Sequence, residues 1–288
     1  MIQPMTESSL FASDGLTLHV RHWAASPAVL SRGSVLILHG LGEHSGRYAA
    51  VAEHLSAWGW HVMAYDQRGH GLSEGKRGQL AREEDLLRDL ALAIDMARDE
   101  HDGPLVLLGH SLGGLAAARM VGEGLEPQPQ PWYRAVDGLM MSSPALGADM
   151  APGQKRVLTT MSQMAPDTSV PNGLKPEWRS RDPQAVAEWQ ADPLVHDRIG
   201  PGLAKFFLEV GVWVREHAPA WTLPTLLLYA GTDRCVSPEG SKAFAESAPS
   251  AVLTAQRYEP MFHDLFSDPE KDEVYAAMRA WLSTQLTA

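Results

Sequence analysis

The stretch Leu107-Leu108-Gly109-His110-Ser111-Leu112-Gly113-Gly114 carries the pattern G-x-S-x-G between two contrasting neighbours. Ahead of it, Pro104-Leu105-Val106-Leu107-Leu108 is a short unbroken apolar run, as expected of a strand covered on both faces. Behind it, Leu115-Ala116-Ala117-Ala118-Arg119-Met120 is built of good helix formers. A strand, a tight turn and a helix therefore meet at Ser111. In such a turn the positions two before and two after the serine must be small to avoid collision, and both are glycine. The helix that follows aims free N–H groups at whatever reacts with the hydroxyl. Ser111 is the candidate nucleophile.

Outward from this turn the alternation repeats. Further apolar runs are Ser34-Val35-Leu36-Ile37-Leu38, His61-Val62-Met63-Ala64-Tyr65, residues 136–141, Thr225-Leu226-Leu227-Leu228-Tyr229 and Ala251-Val252-Leu253-Thr254-Ala255. All are too short for helices. Helical stretches separate them, most clearly over 83–100, where Leu86, Leu90, Ala93, Ile94 and Ala97 recur at helical spacing. The order predicts an α/β fold, a mostly parallel sheet with helices on both faces. Residues 15–23, after the Asp14-Gly15 turn, predict part of an antiparallel hairpin. The alternation lapses from 145 to 222, a segment rich in Pro, Met and Trp. Structureless loops of that length are uncommon in compact domains. The expectation is an α/β core of residues 1–144 and 223–288, with 145–222 as a helical cap over the strand ends. Within it, the spacing of Phe206, Phe207 and Trp213 predicts the cap's own core rather than a ligand-facing wall.

A serine hydroxyl needs a base. The run 225–229 leads into Ala230-Gly231-Thr232-Asp233-Arg234, so Asp233 falls just past a strand's carboxyl end, where open α/β sheets build their sites. His263 lies in Tyr258-Glu259-Pro260-Met261-Phe262-His263-Asp264, before a final helix over 269–284. The chain order Ser…Asp…His predicts His263 as general base and Asp233 as the group that fixes its tautomer. Asp264 is a poor substitute, because it would have to reach around its neighbour's ring. Acyl transfer also needs two N–H donors for an oxyanion. Leu112 follows the nucleophile, and Leu41 sits between Gly40 and Gly42 in the loop after the first apolar run; these are the expected pair. His39 and His44 share that loop without further ligands, which argues against a metal. Arg68 and His70 are expected to serve in structural hydrogen bonding, and Cys235 to be a small packed residue near Asp233, with thiol reagents as a probe of it. There is no Gly-rich phosphate or dinucleotide loop, and the chemistry implies no cofactor.

Composition narrows the partners. Thirty-five Asp and Glu against 24 Lys and Arg give a net charge of −11, which disfavours nucleic acid. Residues 1–10 lack the basic start and roughly 7–15-residue apolar run of a secretory signal. No stretch reaches the roughly 18 uncharged apolar residues of a membrane span. A cytoplasmic enzyme without stable membrane insertion is expected, and an apolar cap face leaves transient surface contact open. A single cysteine, Cys235, excludes an internal disulfide and a cysteine metal cluster.

Residues 39–48, Asp66-Gln67-Arg68-Gly69-His70-Gly71-Leu72-Ser73 and 109–114 resemble the monoacylglycerol lipase and lysophospholipase branch of the α/β-hydrolases. Residues 231–241 are similar to that family's acid loop. Arg181-Asp182-Pro183 and Asp192-Pro193-Leu194-Val195-His196 resemble its cap. The likeness runs from about residue 8 to the C-terminus, is weakest over 148–175, and departs again at Glu259-Pro260-Met261-Phe262. It implies an α/β-hydrolase fold, a cap over the site and hydrolysis of single-chain fatty-acyl esters. The family's serine, aspartate and histidine fall on Ser111, Asp233 and His263, and its oxyanion donors on Leu41 and Leu112. The expected activity is carboxylester hydrolysis through an acyl-enzyme. Acyl transfer to an alcohol and cleavage of short amides are the alternatives; the intact trio argues against a non-catalytic binding module.

Overall fold

A computed structural model describes residues 5–147 and 168–285. Eight strands form one sheet: β1 (Thr6–Phe11), β2 (Thr17–Trp23), β3 (Gly33–Leu38), β4 (Trp60–Tyr65), β5 (Leu105–His110), β6 (Gly138–Ser142), β9 (Thr225–Ala230) and β10 (Leu253–Tyr258). Their order across the sheet is β1-β2-β4-β3-β5-β6-β9-β10. β2 runs antiparallel to both β1 and β4, and every other pairing is parallel. This is the α/β-hydrolase fold that the sequence implied.

The interior strands β3, β5, β6 and β9 are mostly apolar because each side chain is buried on one face or the other. Leu105 and Leu107 of β5 join one hydrophobic cluster, and Val106 and Leu108 join a second. The first cluster holds the buried faces of α2 (Asp85–Glu100) and α3 (Leu112–Glu123). The second holds α1 (Ala49–Ala57) and the C-terminal helix, Lys271–Gln285. Helices thus cover both faces.

The hairpin expected over 15–23 is β1 with β2, turning at Gly15, whose φ is 90°. The last strand differs from its expected place at 251–255. It occupies Leu253–Tyr258, and residues 251–252 turn, with Val252 N–H bonded to Pro249 O at 3.1 Å. β10 is an edge strand whose middle residues, Thr254 to Arg257, are exposed, so its polar half gave no apolar signal.

Arg68 reads as structural here as well. Its Nε and Nη2 donate to the two oxygens of Asp89 at 2.6 and 2.7 Å, and its Nη1 donates to Asp14 at 2.9 Å. The guanidinium thereby clamps the first hairpin turn to α2. His70 Nδ1 donates to the Arg68 carbonyl at 3.0 Å.

Between β6 and β9 the described chain forms the short antiparallel pair β7 (Val170–Pro171) and β8 (Arg198–Ile199), then helices α4 (Pro183–Ala191) and α5 (Pro201–His217). Asp182 caps α4 by accepting the Gln184 N–H, with Pro183 in the first turn. Leu203, Phe206, Val210 and Val214 of α5 pack in the same cluster as α2 and α3, so α5 serves as the crossover back to β9. Met150, Met161, Met164, Pro152 and Pro166, noted in the sequence, lie outside the described residues. No described helix is long and apolar enough to cross a membrane.

Candidate active site

Ser111 stands between β5 and α3 with φ 52° and ψ −113°, a strained conformation for a residue with a Cβ. Close packing explains the two flanking glycines. A Cβ on Gly109 would lie 2.4 Å from Gly113 O, and one on Gly113 would lie 2.1 Å from Leu38 O. The turn is pinned by Ser111 N–H bonded to Ser142 O at 3.0 Å and by Ala145 N–H bonded to Ser111 O at 3.1 Å.

The loop after β3 lies directly against it: a Cβ on Gly40 would stand 3.2 Å from Ser111 Cβ. Gly42, at φ 78°, leaves no room either, because His196 O would be 2.2 Å from its Cβ. Neither Leu41 N–H nor Leu112 N–H donates to a described acceptor. His39 is held within the loop, its Nδ1 donating to Gly40 O at 2.8 Å and its Nε2 accepting from Gln67 N–H at 2.9 Å. His44 instead pairs with Asp192 at 2.8 Å.

Asp233 follows β9, and His263 lies in the loop after β10. Asp233 Oδ2 accepts from His263 Nδ1 at 2.7 Å, and its Oδ1 accepts from the N–H groups of Cys235 at 2.8 Å and Val236 at 3.0 Å. Both side chains are 2% exposed. With Nδ1 carrying the proton, Nε2 is the basic nitrogen of His263. Asp264 is engaged elsewhere, its carboxylate accepting from Ser267 Oγ at 2.8 Å. Ser111 and His263 open onto one cavity of about 410 Å³, whose wall also includes Leu41. No hydrogen bond joins the Ser111 hydroxyl to the ring; such bonds are commonly loose in unliganded enzymes. His110, whose ring centroid lies 4.7 Å from that of His263, is drawn down to about 4 by burial, with His263 adding to the effect. It stays neutral beside His263.

Asp233, Cys235 and His263 are the one set among the described residues whose donor atoms converge closely enough for a metal ion. The chemistry does not suit one. Both Asp233 oxygens are committed, and burial pushes the Cys235 thiol up to about 12, whereas metal ligation needs thiolate.

Two features escaped the sequence. Phe207 lines the cavity, although Phe206 beside it is fully buried. Consecutive helical residues point about 100° apart, so both cannot face one core. Arg179 also lines the cavity, 7% exposed, paired with the buried Glu43 at 3.1 Å. Only its position two residues before Arg181 hinted at it.

A strand-order of this kind with a serine on the strand-to-helix elbow defines a serine hydrolase of the α/β-hydrolase fold. The chain belongs to the Hydrolase_4 family, described as serine aminopeptidase S33, whose model matches residues 30–270. It is 31% identical to the monoacylglycerol lipase of Mycolicibacterium smegmatis, over 98% of each chain. An abhydrolase domain-containing protein of Dictyostelium discoideum is 33% identical over 97% of this chain, which spans 29% of that longer protein. The crystal structure of Paleococcus ferrophilus monoacylglycerol lipase superposes with a TM-score of 0.78 at 31% identity, covering 98% of this chain and all of that one.

Proposed function

We propose that the chain hydrolyses single-chain fatty-acyl esters with Ser111 as nucleophile, His263 as general base and Asp233 as its orienting carboxylate. The observation that carries this is the Asp233–His263 hydrogen bond, which sets the tautomer of a histidine sharing its cavity with Ser111. His263 Nε2 takes the Ser111 proton as Oγ attacks the ester carbonyl. The developing oxyanion accepts from Leu41 and Leu112 N–H, both without described acceptors of their own. Collapse leaves an acyl-Ser111 ester and releases the alcohol, protonated by His263. Water, deprotonated by His263, then attacks the acyl-enzyme, and the fatty acid leaves as Ser111 recovers its proton.

The substrate class follows from the wall. Leu41, Leu174, Ile199, Phe207, Leu208 and Val236 make the cavity largely apolar, as an acyl chain requires. We read residues 145–222 as the cap that supplies much of it, with α5 shared between cap and core. Likeness to monoacylglycerol lipases points the same way. The family description favours a second reading, cleavage of amides at a free N-terminus. A substrate ammonium would want a carboxylate in the wall, yet among the described residues that line it the permanently charged one is Arg179.

Purified protein should be assayed on p-nitrophenyl esters of increasing chain length, on 1-monoacylglycerol and on aminoacyl-p-nitroanilides. Ester hydrolysis should peak at one chain length, and Ser111→Ala should lower kcat by about 10⁶-fold. Wild-type rates no higher than the variant's on every ester would defeat the proposal. Faster turnover of the anilides would favour the amide reading.

A further inference from the structure

We infer that Arg179 is a positioning residue for the oxyanion loop, fixing Glu43 and through it the Gly40–Leu41 backbone, an inference that rests on the ester-hydrolase reading above. Glu43 is 1% exposed and both its oxygens are engaged. Oε1 accepts from Gly40 N–H at 2.5 Å and from the Tyr48 hydroxyl at 2.8 Å, while Oε2 accepts from Arg179 Nη2 at 3.1 Å. Gly40 is the residue before Leu41. A Cβ there would strike Glu43 Oε1 at 2.6 Å and stand 3.2 Å from Ser111 Cβ, so carboxylate, loop and nucleophile are packed as one body.

A carboxylate this deeply buried stays ionised only beside a counter-charge. Burial works to raise the Glu43 carboxyl, but the guanidinium of Arg179, with that of Arg47 adding, overrides it and holds the group well below the usual carboxylate range. Arg179 is itself located on the segment between β6 and β9, far from Glu43 in sequence. Its guanidinium carbon lies 3.4 Å from the ring centroid of Trp189 on α4. Its carbonyl accepts the N–H of Asp264, the neighbour of His263, at 2.7 Å. One cap residue therefore touches both the loop that carries Leu41 and the loop that carries the base.

The following residues strengthen the second link. Ser180 Oγ donates to Ser267 O at 2.7 Å, and Arg181 N–H donates to Asp268 Oδ1 at 3.0 Å. Asp268 Oδ2 in turn accepts from Phe262 N–H at 2.7 Å, immediately before His263. The cap thus completes the site as well as covering it. Without Arg179, Glu43 is left a buried charge without its principal cation. It then draws a proton or admits water, and its hold on Gly40 loosens.

Four variants test this on p-nitrophenyl acetate, whose acyl group is too short to depend on the cavity wall. Arg179→Met should lower kcat about 100-fold with KM changed by less than about threefold, because the damage is to alignment and not to binding. Glu43→Gln strands the guanidinium and should also slow kcat. The double variant carries a neutral pair and should run at least about tenfold faster than Arg179→Met. Arg179→Lys, which keeps a cation against Glu43, should stay within about tenfold of wild type.

An unchanged kcat in Arg179→Met, a loss confined to KM, or losses that simply multiply in the double variant would each overturn the inference. So would a Lys variant as slow as Glu43→Gln, an arm that does not need the Met variant to fold. Hydrogen–deuterium exchange of residues 39–43 supplies a readout independent of catalysis. Faster exchange in Arg179→Met is expected, and exchange equal to wild type overturns the inference. Wild-type protein inactive on every ester overturns the ester-hydrolase reading instead, and leaves the exchange result to decide the role of Arg179.

Discussion

Arg68 shows how much of this molecule turns on single charges. Asp89 is 1% exposed, and burial pushes its carboxyl up even with Arg68 beside it. Arg68→Met removes two hydrogen bonds to Asp89 and the clamp on Asp14. Because Asp89 can then protonate, the cost should fall at the low end for a broken buried pair, about 3 kcal/mol. Urea unfolding would measure it. The fraction that remains folded should keep wild-type kcat, since Arg68 does not line the cavity that holds Ser111 and His263. A variant as stable as wild type would refute the clamp. Ser111, Asp233 and His263 were candidates from sequence because glycine spacing and chain order are local properties of the chain. Glu43 and Arg179 were not, because their pairing spans 136 residues and depends on how the segment between β6 and β9 folds back.

At the scale of elements, the elbow between β5 and α3 is the least forgiving part of the fold. A Cβ on Gly113 would meet three backbone atoms of residues 38 and 39 within 2.7 Å, and backbone cannot swing aside. Gly113→Ala should therefore cost about 3 kcal/mol or more. Gly15 is the control. It has nothing within 4 Å of its Cβ position and only its φ of 90° to resist substitution, so Gly15→Ala should cost about 1 kcal/mol. Thermal unfolding of the pair would expose the difference, and equal melting temperatures would contradict it. Interior strands such as β3 and β5 were legible because burial on both faces leaves an unbroken apolar run. The edge strands were less so. β1 and β10 are largely exposed, and their polar residues look like loop.

Across the whole molecule, buried neutral histidines set the response to acid. Burial draws His110 and His196 down to about 4 and lowers His39 and His70 as well. In the unfolded chain such rings titrate near 6.5. Their folded values are depressed, so the stability they confer is fully present above about pH 6.5 and is lost as pH falls toward 4. For His110 and His196 this is worth on the order of 3 kcal/mol each at neutral pH. Glu43, also held low, extends the loss further into acid. The urea midpoint should be level from pH 8 to 7 and then decline steadily below about 6.5. A midpoint unchanged at pH 5 would mean these rings are not buried neutral.

The position of His263 beyond β10 also sets a schedule. About 150 residues separate it from Ser111. At about 5–20 residues per second, a chain leaving the ribosome carries its serine for roughly 8–30 s before the histidine has been added. β10 is the outermost strand on its side of the sheet, so it can dock on β9 after the rest has formed. On the proposed mechanism the nascent protein is therefore a platform whose Ser111 waits for its partner, and the power to cut esters arrives only once β10 and the loop after it have been added.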